Sequence, residues 1–232
     1  MTLAERTHNA AFSLEAHRAL GSTLLFVGAF DAGRTHLEQG VALYDPQQHR
    51  AHALRYGSDP GIACLSYGGR AWWFLGYPDQ ALKRGYEGLA LAESLSHSFS
   101  MAQALGMLAH IYQARRQIQP THEWAEKTLV YATEQGIPYW SALAAIVRGW
   151  ALAAQGQMAA GIGEMRQGME RYRATGATLA WSWFLAMLAE AYGKGGQAEE
   201  GWCCLAEALA VMESTERVTT RLKSTDSKAN CC

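Results

Sequence analysis

The sequence predicts an all-α solenoid of about five helical hairpins with a period of about 40 residues. The clearest hairpin spans residues 181–209, where apolar residues recur at three- and four-residue spacing on both sides of Gly-Lys-Gly-Gly at 193–196. That spacing is the stripe of a half-buried helix, and glycine ends a helix because it adopts left-handed backbone conformations at little cost. Turn positions then recur at three equal steps, at Gly76, Arg116, Gly156 and Gly196. Equal steps of this size indicate a tandem array of two-helix units.

Composition excludes several classes of protein. Hydrophobic residues make up 49% of the chain and charged residues 18%, a balance typical of a globular protein. The net charge of −1 argues against binding to nucleic acid or to an anionic membrane surface, because both attract a basic field. The sequence has no signal-peptide pattern, and no apolar run approaches the ~18 residues of a membrane span. We therefore expect a cytoplasmic protein that has no cofactor and binds neither nucleic acid nor membrane.

The repeat places five hairpins within residues 13–217. Their approximate bounds are 13–44, 62–93, 100–133, 140–174 and 180–213. A single hairpin cannot bury the apolar stripes of both its helices, whereas stacked neighbours can, so we expect one continuous core and a right-handed superhelix. Residues 1–12 form an N-terminal extension in this scheme, and residues 218–232 form a tail outside the repeat.

One connection in the array is longer than the others. The interval from Gly28 to Gly76 exceeds the later intervals between turns, and the additional length falls in residues 44–61, which contain two Asp-Pro turn signals. Long connections often carry function, and the candidate residues in this one are His49, His52, Tyr56 and Asp59. The two histidines, with Asp45 and Asp59, suggest a metal, but the spacing of the histidines is loose and no second pair of ligands fixes a geometry. The five cysteines are odd in number and lack C-x-x-C spacing, so we expect no metal site. We interpret the polar side chains of the connection as holding the insertion in place.

Residue types at matching positions resemble the tetratricopeptide repeat. Tyr112 and Tyr192 fall at its aromatic position. Gly161 and Gly201 match Ala81 at the small-residue position of its second helix. A small residue there lets the two helices approach closely, and glycine does so at a helix-propensity cost of about 1 kcal/mol.

Longer strings extend the resemblance to nearly the whole chain, from about residue 14 to residue 217. Among them are LGYPDQAL, RGWALAAQGQ and LAEAYGKGGQAEEG. They resemble the C-terminal repeat region of large bacterial proteins that join a class III nucleotide cyclase, or another signalling domain, to a predicted AAA/STAND ATPase and then to tetratricopeptide repeats. In that family the repeats are taken as a sensor or protein-interaction arm, and catalysis lies upstream. This chain contains no GxxxxGKS/T phosphate-binding loop and no cyclase core, so we do not expect an enzyme.

The resemblance also indicates a binding surface. In tetratricopeptide repeats the concave groove is lined by fixed positions of each first helix. Counted from the turns, these positions hold Arg18, Ser22, Arg70, Trp73, His110, Gln113, Ile146, Trp150, Trp183 and Glu190. Aromatic side chains with a few polar groups are typical of surfaces that bind peptides or small ligands. The alternative is that Trp73, Trp150 and Trp183 fill the core between helices, because an error of one residue in helix phase turns a side chain by about 100°.

Two hypotheses for function follow from these observations. The first is a non-catalytic module that binds a protein partner or peptide segment, such as a signalling ATPase or cyclase. The alternative is a small-molecule sensor arm with its ligand in the groove. An enzyme is the least expected class, because no Ser or Cys is spaced with a His and an acid as in a known catalytic triad.

The tail carries a separate hypothesis. After Arg217 the sequence departs from the family, which suggests a frameshifted start of a sixth repeat. The apolar outer face of the last hairpin would then lack its neighbour, and a homodimer through this face is one expected consequence.

Overall fold

The computed structural model describes residues 10–49 and 51–229, with side chains up to residue 214. This part of the chain is all helical. Its twelve helices are α1 (Ala10–Phe26), α2 (Phe30–Leu43), α3 (Pro46–His49), α4 (His52–Tyr56), α5 (Pro60–Phe74), α6 (Pro78–Leu95), α7 (Ser98–Ala114), α8 (Ile118–Glu134), α9 (Pro138–Ala154), α10 (Met158–Ala174), α11 (Trp181–Lys194) and α12 (Ala198–Ala229). Residues 1–9 of the predicted extension and residues 230–232 of the predicted tail lie outside the described part.

The helices pair as five hairpins, namely α1–α2, α5–α6, α7–α8, α9–α10 and α11–α12. The first helix of each hairpin also packs against the first helix of the next hairpin. The second helix of each hairpin packs against the first helix of the next one as well. First helices therefore form an inner layer and second helices an outer layer, which confirms the predicted all-α solenoid.

The predicted period is confirmed by the backbone. The four turn positions lie in the left-handed region, with φ of +87° at Gly76, +60° at Arg116, +94° at Gly156 and +76° at Gly196. The same conformation follows three of the second helices, again at equal steps of one repeat, at Ser96, Gly136 and Gly176. Arg116 and Ser96 adopt it despite their side chains, at a cost of roughly 1–2 kcal/mol each. The stacking of neighbouring hairpins therefore imposes the turn even where glycine is absent.

Helix α9, the first helix of the fourth hairpin, is largely buried. Eleven of its 17 residues are buried, including six in succession from Ala142 to Val147, which together cover every side of a helix. It packs against α8 and α10 and also against the inner helices α7 and α11. A helix that is apolar over most of its surface is stable only when neighbouring helices cover it. Its many alanines let four neighbours approach it.

The two helices of the fourth hairpin approach each other at two glycines. A Cβ atom placed on Gly149 would lie 2.7 Å from the carbonyl oxygen of Gly161, and one placed on Gly161 would lie 2.5 Å from the amide nitrogen of Ala153. Both obstructing atoms belong to the backbone, which a change of rotamer cannot move. Gly161 occupies the position predicted to need a small residue, and the backbones of α9 and α10 are in direct contact there.

We expect Gly161→Ala to destabilise the protein by about 1–3 kcal/mol, because the added methyl group forces α9 and α10 apart. Gly163→Ala, on the same helix, is the matched control, since a Cβ at Gly163 meets nothing within 4 Å. The control should stabilise the chain by about 0.5–1 kcal/mol through helix propensity. Chemical denaturation followed by circular dichroism measures both changes. Equal effects of the two substitutions would contradict the close contact.

Candidate functional site

Three inner helices bring aromatic side chains together around one cation. Arg70, Trp73 and Phe74 lie on α5, His110 lies on α7 and Trp183 lies on α11, and all five line one small cavity. The ring of Trp183 stands edge-on to the ring of Phe74, with centroids 6.0 Å apart. We call these five residues the inner cluster. It joins the second, third and fifth hairpins.

The guanidinium group of Arg70 faces aromatic rings. Its Cζ atom lies 5.5 Å from the centre of the Phe26 ring and 5.9 Å from the centre of the Trp183 ring. Burial lowers the pKa of Arg70, and the groups that oppose this effect are tyrosines rather than carboxylates. An arginine side chain stays protonated in proteins, so the inner cluster holds a partly desolvated positive charge.

Arg70 lacks a counterion in the described part of the chain. No carboxylate there pairs with it, and none contributes to its pKa. Two other arginines on first helices are paired, since Arg18 bonds to Glu15 at 2.6 Å and Arg148 bonds to Glu164 at 2.6 Å. A cation that has lost water without gaining a counterion has an unfavourable environment that an anionic ligand would improve.

The cavity of the inner cluster is small. It has a volume of about 10 Å³, which is about the least that admits a single water, and Ile111 and Ala114 complete its lining. Two buried polar atoms on the same helices have no hydrogen-bond partner among the described residues, namely the indole nitrogen of Trp183 and the side-chain oxygen of Gln113. An unpaired buried polar atom costs roughly 1–3 kcal/mol, so a ligand that reaches either atom gains from the contact.

His110 supplies no charge to this surface. It is buried, and its ring lies 6.4 Å from the ring of Phe184. Burial, together with the charge of Arg70, lowers the pKa of His110 to about 3. The imidazole is therefore neutral at physiological pH, and the positive charge of the inner cluster resides on Arg70.

Trp150 and Glu190 belong to a second arrangement. The Glu190 carboxylate accepts hydrogen bonds from Arg116 at 2.5 Å and from Lys194 at 2.7 Å. It also accepts the indole N–H of Trp150 at 3.2 Å. Burial opposes the ionisation of Glu190, but these hydrogen bonds overcome it and lower its pKa to about 2. The carboxylate thus links the third, fourth and fifth hairpins, and Trp150, at 3% exposure, lies in the core.

The remaining groove candidates do not line the cavity. Arg18 is paired with Glu15, and the Ser22 hydroxyl donates to the carbonyl oxygen of Arg18 at 2.8 Å. Ile146 is fully buried. The structure therefore brings together four of the predicted groove residues: Arg70, Trp73, His110 and Trp183.

Two aromatic residues near Arg70 are absent from the predicted set. Phe74 belongs to the run Trp-Trp-Phe at 72–74. This run is a usable signal, because three adjacent residues of a helix point in directions about 100° apart and cannot all face one core. Nothing in the sequence around Phe26 marks it, since its position depends on how α1 packs against α5.

The long connection is held at one end by Asp59. This residue is fully buried and caps α5, because its carboxylate accepts the amide N–H of Ile62 at 3.0 Å and the hydroxyl of Tyr44 at 2.8 Å. Burial raises the pKa of Asp59, although these hydrogen bonds oppose the effect. The amide N–H of Asp59 donates to the Ser100 hydroxyl at 2.9 Å, which fixes the start of α5 against α7.

The other candidates of the connection contact one another and the first hairpin. The rings of His49, His52 and Tyr56 stand edge-on in series, with centroids 5.3 and 5.4 Å apart. His49 accepts the amide N–H of Asp45 at 2.9 Å, and His52 hydrogen-bonds Glu15 at 2.9 Å. Within residues 10–49 and 51–229, no group of three His, Cys, Asp or Glu side chains is placed to hold a metal ion.

A wider depression of about 440 Å³ lies between α8 and α10 in the outer layer. Arg148 in its lining is bound by both Glu126 and Glu164, so its charge is already compensated. The other arginine of the lining, Arg171, is exposed to solvent. This depression therefore lacks the desolvated cation of the inner cluster.

None of the described helices is long and apolar enough to span a membrane.

The chain is similar to solved structures of repeat proteins. No protein-family model and no curated protein matches it. It is similar to a Podosopora anserina putative kinesin light chain with nearly identical TPR-like repeats, at 21% identity over 90% of this chain and 99% of that chain, with a TM-score of 0.55. It is also similar to BtubC (BKLC) from P. vanneervenii, at 13% identity over 93% of both chains, with a TM-score of 0.54. At these identities the likeness establishes the fold, which is that of tetratricopeptide-like repeat proteins.

Because His110 is buried and neutral, stability should depend on pH. The pKa of His110 is about 3 in the folded chain and roughly 6.5 in an unfolded one, so below pH ~6.5 the unfolded chain binds a proton that the folded chain does not. Stability then falls as the pH decreases from about 6.5 toward 3, by up to about 1.4 kcal/mol per pH unit.

We expect His110→Gln to remove this contribution, with His122→Gln as the control. The measurement is the difference in free energy of unfolding between about pH 7 and pH 5, a range that brackets the ordinary pKa of histidine. This difference should shrink in the first variant and persist in the second. An undiminished difference in His110→Gln would contradict a neutral, buried imidazole.

Proposed function

We propose that this chain is a non-catalytic protein-interaction module that binds an acidic segment of a partner protein at the inner cluster. The observation that carries the proposal is Arg70, a cation among aromatic rings without a carboxylate in the described part of the chain. Such a group has lost hydration and gained no counterion in exchange. A carboxylate from a partner would supply the counterion, because a guanidinium group donates two parallel hydrogen bonds to it.

The surroundings of Arg70 suit a peptide segment better than an isolated ion. Trp73 and Trp183 are half-buried, so each presents part of an indole ring to the solvent. Tryptophan and arginine are the residues that most often dominate the affinity of protein interfaces. A segment with an acidic residue beside an apolar one would place its carboxylate on Arg70 and its apolar side chain on the indoles.

A small-molecule sensor is less well supported by the geometry. The cavity of the inner cluster measures about 10 Å³, whereas pockets for small ligands typically measure roughly 300–1,000 Å³. An extended segment needs no such pocket, because it lies across a surface. The resemblance of the sequence to the repeat region of cyclase and ATPase fusion proteins supports a bacterial signalling ATPase or nucleotide cyclase as the partner.

Selection of a peptide-display library against the full chain tests the proposal. We expect the enriched peptides to carry Asp or Glu beside an apolar residue. Arg70→Gln should lower their affinity at least about tenfold, because a neutral amide cannot form the ion pair. Arg171→Gln is the matched control, since it removes an exposed arginine from the outer layer and should leave the affinity unchanged. Fluorescence anisotropy measures the affinities, and circular dichroism checks that each variant keeps its helices.

Four results would count against this function. Enriched peptides without acidic residues, or full-strength binding by Arg70→Gln, would contradict the acidic segment. Thermal stabilisation by a small anionic metabolite, without any peptide, would favour the sensor. Nucleotide turnover by the purified chain would contradict a non-catalytic role.

A further inference from the structure

The inner layer carries a further group of aromatic side chains beside Arg70. Tyr67 lies one turn before Arg70 on α5, and its ring stands edge-on to the Phe26 ring with centroids 6.0 Å apart. Because the Cζ atom of Arg70 lies 5.5 Å from the centre of the same ring, Tyr67 and Arg70 both contact Phe26. Phe99 on α7 stacks with Tyr139 on α9, with centroids 6.5 Å apart. We call Phe26, Tyr67, Phe99 and Tyr139 the tyrosine surface, and all four are half-buried, so each keeps part of its surface in contact with solvent.

The polar groups of the tyrosine surface lie close to one another and to Arg70. Burial raises the pKa of the Tyr67 hydroxyl, the neighbouring Tyr139 raises it further, and the charge of Arg70 opposes both effects. Burial and the neighbouring Tyr172 hydroxyl raise the pKa of Tyr139, and Arg70 again opposes them. The two hydroxyls and the guanidinium group therefore share one part of the inner layer, and both hydroxyls stay protonated at physiological pH.

This part of the inner layer offers hydrogen-bond donors but few acceptors. The helices present their sides, where the backbone N–H and C=O groups are bonded within each helix. The guanidinium group of Arg70 can only donate, and the Tyr67 hydroxyl has no hydrogen-bond partner in the described part of the chain. No carboxylate of that part contributes to the pKa of Arg70, Tyr67 or Tyr139. A bound segment therefore finds donors for its carbonyl oxygens but few acceptors for its N–H groups.

Proline is the residue that suits such a surface. Every other residue of an extended segment carries one N–H and one C=O on its backbone. An N–H that is buried without an acceptor weakens binding, whereas proline has no N–H to bury. The fixed φ of proline also reduces the conformational entropy that a segment loses on binding. Grooves lined by aromatic side chains bind proline-rich segments for these reasons.

We propose that the tyrosine surface binds one or more prolines beside the acidic residue that pairs with Arg70. This inference rests on the proposed function, because Arg70 anchors the segment, and it names the residue type that flands the anchor. The prolines lie against the rings of Tyr67 and Tyr139, and a carbonyl oxygen of the segment accepts the Tyr67 hydroxyl. The segment adopts the extended polyproline conformation, which has no internal hydrogen bonds.

Synthetic peptide pools of equal length, labelled with fluorescein, test the proposal. Each pool fixes one glutamate and, at one neighbouring position, proline, alanine or N-methylalanine, and the other positions are random. N-methylalanine lacks the N–H and the ring, so it isolates the effect of the backbone. Titration with the full chain is followed by fluorescence anisotropy. Within about three residues of the glutamate, which is one turn of polyproline, we expect at least one position where the proline pool binds at least about fivefold more tightly than the alanine pool, with N-methylalanine between them.

Substitutions in the tyrosine surface test where the prolines bind. Tyr67→Leu keeps an apolar side chain but removes the aromatic face and the hydroxyl, so the preference for proline over alanine should shrink at least about threefold. Arg70→Gln should instead weaken the proline and alanine pools alike. Tyr77→Leu is the matched control, since Tyr77 is 54% exposed in the turn before α6 and should leave every pool unchanged. Tyr139→Leu provides a second test if circular dichroism shows that Tyr67→Leu unfolds.

Three outcomes would overturn this inference and leave the proposed function standing. The first is equal binding of the proline and alanine pools at every position, in peptides that still require Arg70. The second is a preference for proline that Tyr67→Leu and Tyr139→Leu both retain, which would place the prolines elsewhere. The third is an N-methylalanine pool that binds no better than the alanine pool, since the missing N–H would then have no effect. Binding that is insensitive to Arg70→Gln would contradict the proposed function itself, and this inference with it.

Discussion

No hairpin of this chain buries its own apolar faces, and the rest of the structure depends on that constraint. Helix α9 can be apolar over most of its surface because four other helices pack against it. Its contact with α10 is so close that Gly149 and Gly161 leave no room for a side chain. On the outer face of α12, where no further helix of the described chain packs, Trp202, Leu209 and Met212 are exposed. Whether an apolar residue of a helix is buried or exposed thus depends on how many neighbouring helices pack against that helix.

Two charged residues of the inner layer, Glu190 and Arg70, differ in whether a partner compensates their charge. Glu190 lies near a turn, where Arg116 and Lys194 reach it and keep it ionised. Arg70 lies over rings from two other helices, α1 and α11, and no carboxylate of the described chain pairs with it. Glu190 already has hydrogen-bonded cations, so its charge stabilises the array but gains little from a ligand. Arg70 has no counterion among the described residues, so an anionic ligand would stabilise it, and Arg70 rather than Glu190 marks the candidate site.

The repeat and the helical class could be predicted from the residues alone, because stripes and turn glycines are local signals. Even Arg116 could be placed in a turn by its position in the period, although its left-handed backbone needs the stacked hairpins to hold it. The direction of each tryptophan could not be predicted. Trp150 is buried and Trp183 half-buried, and the difference depends on which neighbours pack against them. The surroundings of Arg70 could not be predicted either, since the Trp183 ring that it faces lies on α11, three hairpins later in the chain.

The inner cluster exists only while the array is stacked. Its residues come from α5, α7 and α11, and Phe26 of α1 completes the surroundings of Arg70. A segment bound there would contact four hairpins at once, whereas a segment bound to one hairpin would gain little. Because such a ligand binds the stacked state and not the unfolded chain, its binding free energy adds to the stability of the whole array. Ligand binding and the stacking of the hairpins are then linked. Any contact that alters the stacking of the fifth hairpin on the others therefore also alters the affinity of Arg70 for a carboxylate.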